Sequence, residues 1–115
     1  MEIVNNVELI KNLEHKKVIK LKDVVGYKDG MVSSLAIAAR PGVNMTLFSF
    51  EKGEEISTHA APGDAFVTIL EGEVDITISG ELSHLVEGDA IVMPTGAPHA
   101  LVATTRFKMM LVVVK

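Results

Sequence analysis

The sequence has no cysteine, and that absence removes three chemistries at once: disulfide cross-links, thiolate metal sites and a cysteine nucleophile. It also agrees with a reducing compartment. Tryptophan is absent too, and the aromatic side chains come down to Tyr27, Phe48, Phe50, Phe66 and Phe107, too few for a platform on which bases or sugar rings would stack. Positive charge is in deficit, with 11 Lys and Arg against 15 Asp and Glu and a formal net charge of −4, so affinity for a phosphate backbone is not expected. The one basic run, Lys16-Lys17-Val18-Ile19-Lys20-Leu21-Lys22, reads as a solvated strand face. No apolar run approaches the roughly 18 residues of a membrane span. The opening Met1-Glu2-Ile3-Val4-Asn5-Asn6 lacks the basic and apolar regions of an export signal. A cytoplasmic protein with no nucleic-acid and no membrane partner is the expectation. Neither a glycine-rich phosphate loop nor a nucleophile elbow is present, which leaves hydrolase and nucleotide-binding functions without support.

What is present is rhythm. At 115 residues the chain suits a single domain over 1–115, with an N-terminal arm and strands over 1–30 and a barrel core over 31–115. Asn5 or Asn6 is placed to cap a short helix over Val7 to Leu13, because Val7, Ile10 and Leu13 share a face. From Lys17 the chain alternates lysine with Val18, Ile19 and Leu21, and reads as a strand ending near Gly26. Turn signals at Tyr27-Lys28-Asp29-Gly30, Arg40-Pro41-Gly42, Glu51-Lys52-Gly53, Pro62-Gly63, Glu71-Gly72, Gly80-Glu81, Glu87-Gly88 and Pro94-Thr95-Gly96 then separate short apolar segments. The clearest of these sets Val74, Ile76 and Ile78 against Asp75, Thr77 and Ser79, the alternation of a half-buried strand. Nine or ten such strands mark an all-β antiparallel sandwich or jelly-roll barrel, with at most a short N-terminal helix. Two segments, Met31 to Ala39 and Met109 to Val114, are apolar on both faces. Something must cover the second face, and a symmetric homodimer is the simplest cover.

Two stretches forty residues apart carry the candidate chemistry. Gly53-Glu54-Glu55-Ile56-Ser57-Thr58-His59-Ala60-Ala61-Pro62-Gly63-Asp64-Ala65, closing at Gly72, and Gly88-Asp89-Ala90-Ile91-Val92-Met93-Pro94-Thr95-Gly96-Ala97-Pro98-His99 resemble the two signature motifs of the cupin superfamily. The resemblance covers residues 30 to 114 and implies a double-stranded β-helix. In that family two histidines and a glutamate of the first motif, with the histidine of the second, converge on a divalent metal such as iron, manganese, zinc or nickel. Here Gly53, His59, Gly72, Gly88, Pro94, Gly96 and His99 fall on the pattern. The second histidine is Ala61, the glutamate is Ala65, and the asparagine that follows the second motif is Ala103.

His59 and His99 are thus the two metal ligands that the resemblance carries over. Asp64 is the candidate third, although strand parity points it to the opposite face unless Pro62-Gly63 resets the alternation. The alanines trade polar lining for volume, which Met45, Met93, Met109 and Met110 can partly fill. A ligand pocket of His59, His99, Asp64, Ala61, Ala65, Met45, Met93 and Ala103 follows, suited to a small organic molecule such as a carboxylate or phenol. A binding module with metal optional is the leading expectation. Its alternatives are a metal-dependent dioxygenase, isomerase or lyase on a small polar substrate, and a structural dimer with a filled barrel. His15 and His84 are expected in solvent.

Overall fold

The computed structural model describes residues 8–115. Nine strands occur among them: β1 Val32–Arg40, β2 Val43–Phe50, β3 Glu55–His59, β4 Asp64–Glu71, β5 Glu73–Ile78, β6 Glu81–Val86, β7 Ala90–Met93, β8 His99–Ala103 and β9 Phe107–Val114. They form a five-stranded sheet in the order β1-β2-β9-β4-β7 and a four-stranded sheet in the order β3-β8-β5-β6. The ladders are antiparallel, and the two sheets face one another as a jelly-roll barrel, the double-stranded β-helix that the motif spacing implies. Among the described residues no helix is long and apolar enough to cross a membrane.

Alternation decides which side chains enter the core. Along β4, Ala65, Val67 and Ile69 are buried while Asp64 and Phe66 are exposed; along β5, Val74 and Ile76 are buried between half-exposed acids and Thr77. These residues join Phe50, Leu85, Met93, Leu101, Ala103, Phe107 and Met109 in one inner cluster. At its centre Phe50 and Phe107, register partners across β2 and β9, stack with ring centroids 4.6 Å apart and planes at 17°. Burying side chains of this size contributes about 1.5–3 kcal/mol each, so the inner faces hold the sheets together.

A second cluster sits on the outer face of the five-stranded sheet, where Val25, Ile37 and Leu47 pack with Leu13, Leu21, Val24, Leu35, Met45, Leu70 and Met110. The chain's own N-terminal segment therefore covers part of the face for which a partner was expected. That segment corrects two readings. The stretch from Lys17 to Gly26 is not a strand: it contains one 3-10 turn over Leu21–Asp23, and Val18 is fully exposed, because the alternation finds no neighbouring strand to pair with. The helix expected over Val7 to Leu13 does not form over Glu8–Leu13, and Val7 lies outside the described residues. Instead Lys11 donates its backbone N–H to the Ile37 carbonyl and the Asn12 amide donates to the Ala36 carbonyl, both at 2.7 Å. The backbone bonds to the edge of β1 rather than to itself, helped by a left-handed Asn12 at φ 61°.

Further along, this strap is pinned by Ser49 Oγ donating to the Gly26 carbonyl at 2.8 Å, by Lys108 Nζ donating to the Lys22 carbonyl and by Tyr27. The Tyr27 hydroxyl donates to Glu71 at 2.6 Å, while its ring lies 4.3 Å from the Arg106 guanidinium carbon and 4.7 Å from Lys108 Nζ. Burial, and then the Glu71 carboxylate, push the phenol's pKa well above its ordinary value.

Two glycines with the same backbone conformation differ in what surrounds them. Gly72, at φ +76° between β4 and β5, offers a β-carbon only 2.8 Å from Phe107 Cα and less from the Arg106 carbonyl, whereas Gly96, at φ +75°, has nothing within 4 Å. Gly96→Ala should therefore cost about 1 kcal/mol of backbone strain, and Gly72→Ala on the order of 3 kcal/mol or more, since backbone must move as well. Urea unfolding of both variants checks this; equal costs would show that the sheet yields at Gly72 without resistance.

Candidate functional site

Strands β3 and β8 are neighbours in the four-stranded sheet, and their register changes midway. Ile56 pairs with Leu101 and His59 with His99, so the three-residue step on β3 answers a two-residue step on β8. The extra residue is a β-bulge within Ser57-Thr58. On an unbroken strand His59 would point away from the face that Ile56 presents to the core; the inserted residue turns it back, directly opposite His99.

The two rings meet. Their Nε2 atoms are 3.2 Å apart, with centroids at 4.4 Å and planes at 69°. His99 is 3% exposed and His59 stands at the rim. Each ring's other nitrogen faces a backbone carbonyl: Nδ1 of His59 lies 3.0 Å from the Ser57 oxygen and Nδ1 of His99 lies 3.1 Å from the Ala97 oxygen. Two neutral rings carry two protons for these three contacts: with both on Nδ1 the carbonyls accept and both Nε2 lone pairs are free, whereas an Nε2–H donating to the other Nε2 leaves one Nδ1 facing its carbonyl without a proton. Two lone pairs at this distance repel unless a proton, a hydrogen-bond donor or a cation lies between them. The pair is built to receive positive character.

The turn before His99 is held from several sides. Gly96 donates its N–H to the Ala61 carbonyl at 3.1 Å, Ala97 to Pro94 at 3.0 Å, and Ser79 to Pro98 at 2.8 Å. Burial holds the His99 pKa below its ordinary value; the Ala97 bond opposes this, and charge on His59 lowers it further.

Of the other expected pocket residues, Ala65, Met93 and Ala103 are buried in the inner cluster and Ala61 packs against it half-exposed. These residues belong to the apolar core that His99 joins. Asp64 is elsewhere. It starts β4 pointing outward, and its Oδ1 accepts from the Thr95 N–H at 2.9 Å and the Thr95 hydroxyl at 3.1 Å. Pro62-Gly63 does not reset the parity, because Ala65 is the inward residue. Among the described residues no three His, Cys, Asp or Glu side chains gather closely enough to hold a metal ion. Met45 is also misplaced by the sequence reading. It shares the outward parity of Leu47 and packs, with Met110, in the outer cluster, while Met93 and Met109 serve the inner one.

His15 and His84 are exposed, as expected, but His84 is clasped. Its Nδ1 lies 2.6 Å from Asp75 Oδ1 and its Nε2 3.0 Å from Glu73 Oε1. The Glu73 bond, then the Asp75 bond, raise its pKa. The β5–β6 hairpin register, which sets Asp75 opposite His84, would have revealed the first contact from sequence. The bulge and the carbonyls of Ser57 and Ala97 had no such signal.

Two facing antiparallel sheets with paired histidines on adjoining strands define a small barrel of the cupin class. The chain belongs to the cupin domain family, whose model matches residues 46–115. Among solved structures, a conserved Streptococcus pyogenes protein of unknown function is 46% identical with a TM-score of 0.93, covering 96% of this chain and 97% of that one. A cupin superfamily protein from Desulfitobacterium hafniense is 32% identical with a TM-score of 0.88, covering 91% and 96%. Salicylate 1,2-dioxygenase from Pseudoaminobacter salicylatoxidans shares the fold at 21% identity and a TM-score of 0.68, over 72% of this chain and 26% of that enzyme. The HTH-type transcriptional regulator PuuR of Escherichia coli is 42% identical over 43 residues, 37% of this chain and 23% of the regulator. The chain thus matches less than a quarter of that curated relative's length.

The two perturbed imidazoles should separate on titration. Followed by nuclear magnetic resonance, His99 should titrate below the ordinary histidine value of about 6.5 and His84 above it. The signs differ accordingly. His84 supports the fold below about pH 6.5 and loses that support as pH rises through its folded value, whereas His99's contribution is present above about pH 6.5 and lost as pH falls. Coincident midpoints would contradict both environments.

Proposed function

We propose that this chain is a binding module, holding a small organic ligand at the end of the barrel where His59 and His99 meet, with metal optional. One observation carries the reading: two Nε2 atoms converge at 3.2 Å while a backbone carbonyl lies beside each Nδ1, the arrangement that leaves both Nε2 atoms as acceptors when the protons are on Nδ1. A phenol, an alcohol or a protonated carboxylic acid would place its O–H where the lone pairs crowd; a carboxylate would bind only after the pair had taken up a proton. Of the expected pocket residues, Ala61 is half-exposed and open to the carbon skeleton of such a ligand, while Ala65, Met93 and Ala103 are buried in the packed core. The short match to a transcriptional regulator supports a sensing or accessory role over turnover.

The same convergence favours a second reading, a divalent-metal enzyme of the dioxygenase, isomerase or lyase kind. Both Nε2 atoms lie within reach of one ion whose bonds to imidazole are about 2.0–2.1 Å, and the Nδ1–carbonyl contacts orient them as outer-shell bonds orient metal-binding histidines. His59 and His99 would hold iron, manganese, zinc or nickel, which would supply Lewis-acid or redox chemistry. Catalytic sites ordinarily use three protein ligands, so two imidazoles bind weakly, and this reading stands second.

Phenol and zinc(II) are the probes that separate the readings. Titration of the purified chain with each, observed at the His59 and His99 ring nitrogens, should show phenol binding that weakens at least tenfold in His59→Ala. Elemental analysis of protein prepared without chelator should show far less than one metal per chain. Stoichiometric metal lost in His59→Ala would promote the enzyme reading, and silence of both rings toward both probes would leave only a filled scaffold.

A further inference from the structure

Asp64 lies outside the histidine pair, yet both hydrogen bonds of its side chain go to the turn that delivers one of the two rings. The backbone ladder between β4 and β7 ends at the pair Ala65 and Met93. The residue after Met93 is Pro94, which has no N–H with which to extend it. One residue beyond, the carboxylate takes over: Asp64 Oδ1 accepts the Thr95 N–H at 2.9 Å and the Thr95 hydroxyl at 3.1 Å. An ionised oxygen holds such donors more firmly than a neutral one.

Thr95 is the second residue of a β-turn. Ala97 closes that turn by donating its N–H to the Pro94 carbonyl at 3.0 Å, and Gly96 takes the positive φ of +75° at the third position, where glycine is favoured. The segment is fastened on three sides: Thr95 to β4 through Asp64, Gly96 to the Ala61 carbonyl, and the Pro98 carbonyl to the Ser79 N–H just after β5. The last two are backbone bonds and survive a change of side chain. Apart from His99 itself, Asp64 is the one side chain among the described residues that bonds to this turn, and it ties the turn to the five-stranded sheet.

What the turn sets is the ring and not the strand. The backbone of His99 is placed by its register partners on either side, His59 on β3 and Ile78 on β5. That fixes Cα but leaves the imidazole its side-chain torsions, and a ring turned half over would offer its other nitrogen. The choice falls to the Ala97 carbonyl oxygen, 3.1 Å from Nδ1, which leaves Nε2 facing His59 at 3.2 Å. Ala97 is the fourth residue of the turn that Asp64 grips at its second.

We propose that Asp64 is a positioning residue for the histidine pair: by clamping Thr95 it aims the Ala97 carbonyl, and that carbonyl keeps Nε2 of His99 turned toward His59. The carboxylate acts from outside the barrel and touches no ligand. Its effect on affinity rests on the reading of the pair as a binding site; its effect on the ring does not.

Four full-length variants test the clamp, each followed at the ring nitrogens of both histidines by nuclear magnetic resonance at a pH where the rings are neutral, by phenol titration and by urea unfolding. Asp64→Ala should move the His99 nitrogens toward the averaged values of a free imidazole and weaken phenol about fivefold, the effect of one typical hydrogen bond. Asp64→Asn keeps an oxygen acceptor and should restore the wild-type spectrum and affinity. Thr95→Val removes the hydroxyl bond but keeps the N–H bond, so it should give a smaller shift in the same direction, and it carries the test should Asp64→Ala not fold. Asp89→Ala is the control. That carboxylate also accepts a backbone N–H at 2.9 Å, from Val86, but at the far end of β7, so its loss should lower stability and leave both rings unmoved. Unshifted His99 nitrogens in Asp64→Ala, or an equal shift in Asp89→Ala, would overturn the proposal. Phenol that binds neither wild type nor variants, with the nitrogens shifting as stated, would overturn the binding reading and leave the clamp standing.

Discussion

Strand parity inside two sheets packed face to face is the constraint from which the rest follows. Side chains alternate across each strand, so burying one residue commits its neighbours two positions away. On β8 this places Leu101 and Ala103 in the core and, with them, His99. A buried imidazole is costly unless its polar atoms find partners. The core tolerates it because the turn before β8 brings the Ala97 carbonyl to Nδ1 and because a second imidazole arrives at Nε2. The candidate site is therefore a consequence of core register, placed where that register runs out at the end of the barrel.

The second imidazole depends on a local exception to the same rule. Without the extra residue in β3, His59 would turn outward and His99 would keep a lone pair facing only apolar walls. One inserted residue converts a buried histidine with a single partner into a pair with a shared need. The alanines at 61, 65 and 103 then define what the pair is not: among the described residues no carboxylate joins it to make a metal-binding trio, and Asp64, one position from the place where the family carries glutamate, is held outside by Thr95. The chain keeps the framework of a metal-binding barrel while its polar lining has been reduced to two nitrogens.

The strands β4 to β7 are legible in the sequence because each ends at a glycine or proline corner. Val74-Asp75-Ile76-Thr77-Ile78 is the plainest case. The family followed from the spacing of those corners around His59 and His99. Parity also gave the right side for Asp64, and the same counting from Phe48 and Phe50 would have sent Met45 outward with Leu47. The failures lie where the deciding contact is distant. Lys17 to Leu21 alternates as a strand should, but a strand requires a neighbour, and none is available there. Glu8 to Leu13 spends its hydrogen bonds on the edge of β1, twenty-four residues away in sequence in the case of Asn12. The bulge at Ser57-Thr58 is written in residues that are ordinary in any strand, so nothing local announced that His59 would change sides.

The position of β9 has a separate implication for how the chain is made. Phe107–Val114 lies between β2 and β4, and Lys115 donates its backbone N–H to the Gly42 carbonyl at 3.0 Å. Until those residues have left the ribosome, the larger sheet exists only as two disconnected pairs, β1 with β2 and β4 with β7. Phe50 meanwhile lacks the ring it stacks against. Closure of the larger sheet thus waits for β9, and the apolar faces of the earlier strands stay open to other polypeptides until that strand is in place.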